Sequence, residues 1–193
     1  MDRGAIFRRA FHVASPIFLA YYILPDQITP NITRQSLAIL FIGTAGCIEI
    51  ARIALGIRLF GLRPYEGQRV SAYAQGLLGL SFGLFVIQDP RIVVPVFLGM
   101  AWIDPLAAYC RKGGHPRLIP AAAYFAVFFA ASALLHSFSQ TYTILYGTVA
   151  TGIAVFAEGP RIPQVDDDLL MQVVPMAVLY ALLALLGAGL AWP

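Results

Sequence analysis

Residues 97–114, FLGMAWIDPLAAYCRKGG, combine an apolar run with one internal acid, Asp104, and close on a basic turn at Arg111 and Lys112. With the residues that precede it, the apolar run covers about 92–110, which is long enough to cross the hydrocarbon core of a bilayer as a helix. Lipid offers the backbone no hydrogen-bond partners, so only helices and closed barrels span it. The run lacks the alternating pattern of a barrel strand, and it therefore predicts a transmembrane helix that carries a carboxylate.

The composition of the whole chain is that of a membrane protein. Of the 193 residues, 59% are hydrophobic and 12% are charged, a balance outside the usual range of soluble globular domains. Apolar runs recur along the chain with no polar domain between them, so we expect a single integral membrane domain over 1–193, an all-α transmembrane bundle of about seven spans. The expected spans are roughly 10–25, 36–57, 71–88, 92–110, 119–136, 142–157 and 170–191.

The distribution of cations predicts the orientation of these spans. Only Arg34 and Arg91 fall on one side of a seven-span arrangement, and Arg52 lies within a span, whereas the other ten of the 13 cations share the opposite side. The positive-inside rule places that side, with the N-terminus, in the cytoplasm. Arginine outnumbers lysine twelve to one and the expected loops are short, which fits a prokaryotic or archaeal origin and a location in the cytoplasmic membrane. The net charge of +3 therefore reflects topology and not nucleic-acid binding. The ten cations are Arg3, Arg8, Arg9, Arg58, Arg63, Arg69, Arg111, Lys112, Arg117 and Arg161.

Most of the acids are expected on this same cytoplasmic side. An ionisable side chain near the centre of a membrane helix costs about 2.5–3.5 kcal/mol, and such residues usually face a bundle interior or a wet cavity. A shared cytoplasmic site is the simplest explanation for Asp104. Glu49 and Arg52 are three residues apart on one helix face and are equally well explained as a self-satisfied pair, and His12 alone is more typical of an interfacial polar residue than of a catalyst.

Pro105 favours a functional role for Asp104. Proline cannot donate to the carbonyl one turn back and disfavours helical geometry at the residue before it, so we expect the helix to kink or break at Asp104. Broken helices at membrane depth line cavities. Carboxylates beside a basic, glycine-bearing turn at Arg111 and Lys112 suit a nucleoside triphosphate with its magnesium ion, although the chain has no Walker-type loop and no protein-kinase motif.

Five segments in order along the chain together resemble the family of integral-membrane polyprenol kinases, which includes dolichol kinase, phytol kinase and a CTP-dependent diacylglycerol kinase. The segments are RRAFHV (8–13), EIAR (49–52), RPYEGQRVSAYAQGLLG (63–79), WIDPLAAYCRKGG (102–114) and FAEGPRIPQVDDDLLMQVVP (156–175). The resemblance implies CTP as phosphoryl donor, Mg2+ as cofactor and a long-chain isoprenoid alcohol, of the dolichol, polyprenol or phytol type, as the membrane lipid substrate.

The resemblance also implies roles for individual residues. Magnesium is expected on Asp104 with Glu158 or Asp167, and the hydroxyl proton is expected to pass to a nearby carboxylate or to His12. Glu49, Glu66 and Asp168 belong to the matching motifs. The residues expected to bind the nucleotide are Arg8, Arg9, Arg52, Arg111 and Lys112.

The chain also departs from the family pattern. Ile103 and Arg111 stand where the family signature has glycines, and the segment after Gly114 lacks the family's KSLEG stretch. These departures leave a different nucleotide or acceptor open. They also leave two alternatives to the kinase: a CTP-dependent lipid cytidylyltransferase, and a non-catalytic protein that binds or transports a lipid or solute.

Overall fold

The computed structural model describes residues 3–157, 162 and 164–186, and in these residues the fold is all-α apart from one short hairpin. The hairpin pairs β1 (Gln27–Thr29) with β2 (Ile32–Thr33) in antiparallel register. The helical fold class is confirmed, and a helical segment occupies each of the seven predicted runs. The helices are α1 (Arg3–Ala14), α2 (Arg34–Ala54), α3 (Ala72–Phe82), α4 (Pro90–Gly113), α5 (Leu118–Leu134), α6 (Gln140–Ala157) and α7 (Asp167–Leu185).

Within the described residues, three helices are long and apolar enough to cross a membrane: α2, α4 and α7. The helical stretch Ala72–Ile87 and helix α5 are apolar but shorter. These lengths support membrane association of the chain, because a helix needs about 20 apolar residues to span the hydrocarbon core. The count of seven spans and the cytoplasmic N-terminus stay predictions.

Local chemistry sets several of the helix ends. Thr33 caps α2 by a reciprocal pair of hydrogen bonds with Ser36, which satisfies backbone N–H groups that have no partner inside the helix. Asp89 caps α4 by accepting from Arg91 N at 2.9 Å. At its other end, α4 stops at Gly114, whose φ of 68° is a left-handed conformation that glycine adopts without strain.

The first helical run differs from its prediction. Helix α1 begins well before the expected start of the span, and at Ser15 the chain changes to a 3-10 helix that ends at Tyr22. Pro16 stands at the start of this second segment. Because proline has no N–H to donate, it interrupts the α-helical hydrogen bonds there.

The break expected at Asp104 is absent. Helix α4 runs without interruption from Pro90 to Gly113 and contains both Pro95 and Pro105. A proline in a membrane helix removes one backbone hydrogen bond, and neighbouring helices and small local adjustments can compensate for that loss. The predicted break was therefore wrong, whereas a kink at this position stays a prediction, and Asp104 lies on a continuous helix.

The chain forms two compact units, Met1–Leu78 and Gly79–Pro193. In the second unit α4 packs against α5 and α7, and α6 packs against both of those helices. The apolar side chains of Val96, Phe128 and Met176 are completely buried in its core. Helices α4 and α5 approach closely at Gly99, where a Cβ atom would stand 2.5 Å from the Tyr124 ring.

In the first unit, helix α2 exposes most of its apolar side chains, and only 6% of its most apolar window is buried. An apolar helix that is exposed all round is typical of a segment that faces lipid. Rings from α1 and from the chain after α2 pack together, with Phe7 against Phe60 and Phe11 against Tyr73. The buried polar side chains of this unit include Arg52 and Glu66.

Candidate functional site

Asp104 lies in the second half of α4, where the side chains around it are unequally exposed. Ile103 and Ala107 are buried against the neighbouring helices, whereas Trp102 is exposed. Asp104 itself is partly buried. Its carboxylate therefore stands at the edge of the packed core of the second unit and not in open solvent.

The second acidic element is the start of α7. Asp166 is the N-cap and accepts a hydrogen bond from Asp168 N at 3.3 Å, and Asp167 and Asp168 occupy the first turn. Carboxylates are favoured there because the N-terminal end of a helix carries a partial positive charge. Asp168 is only 9% exposed, which is unusual for an aspartate.

Asp104 and Asp168 meet. Their carboxylate oxygens lie within 4.8 Å of each other, and the carboxylates of Asp166, Asp167 and Asp168 lie within the same distance of one another. Two like charges at about this separation repel each other by about 3 kcal/mol at the effective dielectric constant of a protein. A shared cation or proton lowers that energy. We refer to Asp104, Asp166, Asp167 and Asp168 as the acidic site.

The donor atoms of the acidic site are all carboxylate oxygens. Oxygen ligands are those that Mg2+ and Ca2+ prefer, and Mg2+ in phosphoryl-transfer sites is typically held by one or two carboxylates plus phosphate oxygens and water. The chemistry of Asp104 and Asp168 therefore fits the magnesium ion that the family resemblance implies.

The predicted basic turn follows at the end of α4. Arg111 lies two helical turns beyond Asp104, about 10 Å along the same face of the helix. Arg111 and Lys112 are exposed. The N–H groups of Gly114 and His115 donate to the carbonyls of Arg111 and Cys110, so these two N–H groups are already used in ending the helix. Anion binding at this turn depends on the two side chains.

Three predicted site residues form a buried network in the first unit. Arg52 Nε and Nη2 donate to the two carboxylate oxygens of Glu49 at 2.9 and 2.8 Å. Glu49 Oε1 also accepts from Ser71 N at 2.6 Å. Arg52 Nη1 donates to Glu66 O at 3.0 Å, and Nη2 donates to Arg69 O. The self-satisfied pair expected from the spacing of Glu49 and Arg52 is present, and it extends to the backbone of the following loop.

The described contacts of Arg52 are those of a structural group. The residue is 2% exposed, and its guanidinium contacts one carboxylate and two carbonyls. Glu66 is also 2% exposed and uses its carboxylate to accept from the N–H groups of Arg63 and Ala72. Both residues fasten the chain between α2 and α3. The contact of Arg52 with a nucleotide stays a prediction.

The other predicted residues lie on α1 or outside the described residues. Arg8 Nη1 donates to Gly61 O at 3.5 Å, Arg9 is exposed, and His12 is partly buried. Glu158 lies outside the described residues. Of the predicted set, Arg8, Arg9, His12, Glu49, Arg52 and Glu66 belong to the first unit, and Asp104, Arg111, Lys112, Asp167 and Asp168 belong to the second.

Two polar features near the core were not predicted. Gln172 is 0% exposed on α7, and its Nε2 donates to Asp168 O at 3.1 Å. The sequence signal for burial of Gln172 was a single amide side chain within an apolar helical run, since exposing such a side chain to lipid costs free energy. Arg91 and Asp89 form a largely buried ion pair at 2.7 Å. The two residues lie just before the fourth predicted span, and their pairing was not predicted from the sequence.

Comparison of this chain with protein-family models, with curated proteins and with solved structures finds no match. The resemblance to the polyprenol kinases therefore rests on the five ordered segments and on the chemistry of their residues.

Proposed function

We propose that the chain is a CTP-dependent lipid kinase that transfers the γ-phosphoryl group to the hydroxyl of a long-chain isoprenoid alcohol at the cytoplasmic face of the membrane. The observation that supports the proposal best is the meeting of Asp104 with Asp168. These residues come from two separate segments that resemble the kinase family, and their carboxylate oxygens lie within 4.8 Å of each other.

Asp104 and Asp168 would hold the magnesium ion, with Asp166 and Asp167 beside them. A bound magnesium ion supplies positive charge that offsets the charge of the phosphate oxygens. The carboxylates of the chain supply oxygen ligands at the edge of the packed core, where an electrostatic interaction is stronger than in water.

Arg111 and Lys112 bind the phosphate chain of CTP from the end of α4. A guanidinium can hold two phosphate oxygens at once, and a lysine acts as a compact point charge. The lipid oxygen attacks the γ-phosphorus, the bond from that phosphorus to the bridging oxygen of CDP breaks, and CDP leaves with the electron pair. The hydroxyl proton passes to a carboxylate oxygen of the acidic site, and the alternative acceptor His12 stays a prediction. Catalysis is mainly positioning and charge stabilisation.

The topology that accompanies this function has seven spans with the N-terminus in the cytoplasm. In that arrangement the fourth span ends and the seventh begins on the cytoplasmic side, which agrees with the proximity of Asp104 and Asp168. The lipid substrate approaches from the membrane along apolar helix surfaces, while CTP approaches Arg111 and Lys112 from the cytoplasm. The membrane is then the cytoplasmic membrane of a prokaryote or archaeon.

The test is transfer of label from γ-labelled CTP, and separately from γ-labelled ATP, into isoprenoid alcohols by purified protein with and without Mg2+. Wild type, Asp104→Asn and the matched control Asp26→Asn are compared, since Asp26 is exposed and pairs only with Arg34 among the described residues. We expect Mg2+-dependent labelled lipid from wild type and from the control, and none from Asp104→Asn. Folded wild type that transfers no label from either nucleotide would contradict the proposal.

A further inference from the structure

Three arginines gather on the chain between α2 and α3. Arg63 and Arg69 directly precede and follow the short 3-10 helix Pro64–Gln68, and Arg58 lies earlier in the same connection. We call these three residues with Tyr65 the arginine turn. The guanidinium carbons of Arg63 and Arg69 lie 5.7 and 5.8 Å from the centre of the Tyr65 ring. Arg58 Nε is 3.9 Å from the position that a Cβ atom would take at Gly67. The three cations therefore surround one turn of chain.

The acid within this turn does not neutralise the arginines at the surface. Glu66 is 2% exposed and its carboxylate points inward, where it accepts from the N–H groups of Arg63 and Ala72 at 2.6 and 3.3 Å. Arg58 and Arg69 are exposed, and among the described residues neither forms an ion pair. The outer surface of the turn is accordingly positive.

A buried network holds the turn in place from beneath. Arg52 donates to the carbonyls of Glu66 and Arg69 and is itself held by both carboxylate oxygens of Glu49. The backbone that carries Arg69 is thus fixed by hydrogen bonds before any ligand arrives. Fixing a binding loop in advance reduces the ordering entropy lost on association.

Apolar and aromatic side chains are exposed beside these cations. Leu59, Phe60 and Tyr65 are 43%, 64% and 53% exposed. Aromatic rings and cations side by side are typical of the boundary between lipid headgroups and hydrocarbon. The combination favours a ligand that carries both a phosphate and an acyl region, because a free nucleotide leaves the apolar side chains without contact.

We propose that the arginine turn binds the phosphate of an anionic phospholipid headgroup at the membrane surface. Guanidinium groups match phosphate oxygens in pairs, and each cation near an anionic bilayer surface contributes to membrane attraction. The arginine turn belongs to the first unit, and this inference does not depend on the lipid-kinase proposal.

The experiment compares wild type with the double variant Arg58→Gln/Arg69→Gln and with a control of equal charge, Arg3→Gln/Arg117→Gln, whose arginines are also exposed. Each purified protein is delipidated and titrated with phosphatidylglycerol and with phosphatidylcholine, and bound lipid is counted by native mass spectrometry. We expect wild type and the control to prefer phosphatidylglycerol. The double variant should bind it about 30-fold more weakly at an unchanged melting temperature.

A second arm separates the lipid headgroup from a free nucleotide. CTP binding to the same three proteins is measured in detergent without phospholipid, and it should be equal in all three. Loss of CTP binding in the double variant, with its preference for phosphatidylglycerol intact, would overturn the lipid assignment. Equal phosphatidylglycerol binding by all three proteins would overturn it as well.

Discussion

The carboxylates of Asp104 and Asp168 lie within 4.8 Å of each other, so under the proposed function they would hold one magnesium ion together and act as one unit. Groups that act as a unit give non-additive effects when they are removed together. We expect Asp104→Asn and Asp168→Asn each to lower kcat for lipid phosphorylation by at least about 100-fold. The double variant should be no slower than the slower single variant, and multiplication of the two losses would show that the residues act independently.

Arg52 makes a different contribution, which is to stability. It is 2% exposed and hydrogen-bonded to Glu49 and to two carbonyls, so its removal leaves a largely buried carboxylate without its cation. Breaking a buried ion pair from one side costs about 3–5 kcal/mol. We expect Arg52→Met to lower the melting temperature in detergent clearly, while Arg3→Met at an exposed position changes it little. Equal melting of the two variants would show that the network does not stabilise the fold.

Single residues show which parts of the site are readable from the sequence. The spacing of Glu49 and Arg52 on one helix face offered their pairing as one of two equal explanations, because helix geometry brings such residues together. The carbonyls of Glu66 and Arg69 complete the network. Their positions are set by the path of a loop, which the helical periodicity of the sequence does not predict. The resemblance connected Asp104 with Glu158 or Asp167, whereas the structure brings it next to Asp168, since the pairing of distant helices is set by packing.

At the scale of the element, the close approach of α4 and α5 offers a direct test. A Cβ atom at Gly99 would stand 2.5 Å from the buried Tyr124 ring. Overpacking of a filled core costs about 1–3 kcal/mol, so we expect Gly99→Ala to lower the melting temperature. The matched control is Gly152→Ala, because Gly152 is helical and exposed with nothing within 4 Å of its Cβ position. It should be neutral or stabilising. Equal effects of the two changes would contradict the contact.

The elements themselves were predictable from apolar runs of membrane length, and a helical segment lies in each predicted run. The exceptions have local causes. Pro105 is accommodated within α4, whereas Pro16 coincides with the change from α1 to a 3-10 helix. Because both positions carry proline, the residue type alone does not decide whether the α-helix is interrupted. The surroundings of each helix decide it, and the periodic pattern of a single sequence does not describe those surroundings.

At the scale of the whole molecule, the predicted topology places residues near Arg117 in the cytoplasm and residues near Gln27 outside. Both side chains are exposed, so single cysteines there should react with an impermeant maleimide. The chain's own thiols, Cys47 and Cys110, are first replaced by alanine. We expect Gln27→Cys to be labelled in right-side-out vesicles and Arg117→Cys in inverted ones. Labelling of both from the same side would contradict the seven-span arrangement.

The composition predicts a membrane protein, and the distribution of cations predicts its orientation. Both predictions are possible because hydropathy and positive charge act on whole segments. The same quantities do not specify the reaction. Many apolar surfaces can accommodate an isoprenoid chain. Arg111 stands where the family signature has a glycine, and the effect of this replacement on phosphate binding is measured only on the purified protein.

The most direct measurement uses CTP that carries one isotope in the γ-phosphate and a second isotope in the cytosine base, with the lipid product counted for both. Transfer of the γ-label alone, dependent on Mg2+ and on Asp104, is the result that a lipid kinase predicts. A product that carries the base label would identify cytidylyl transfer instead. A folded protein that delivers neither isotope to lipid would contradict CTP-dependent transfer.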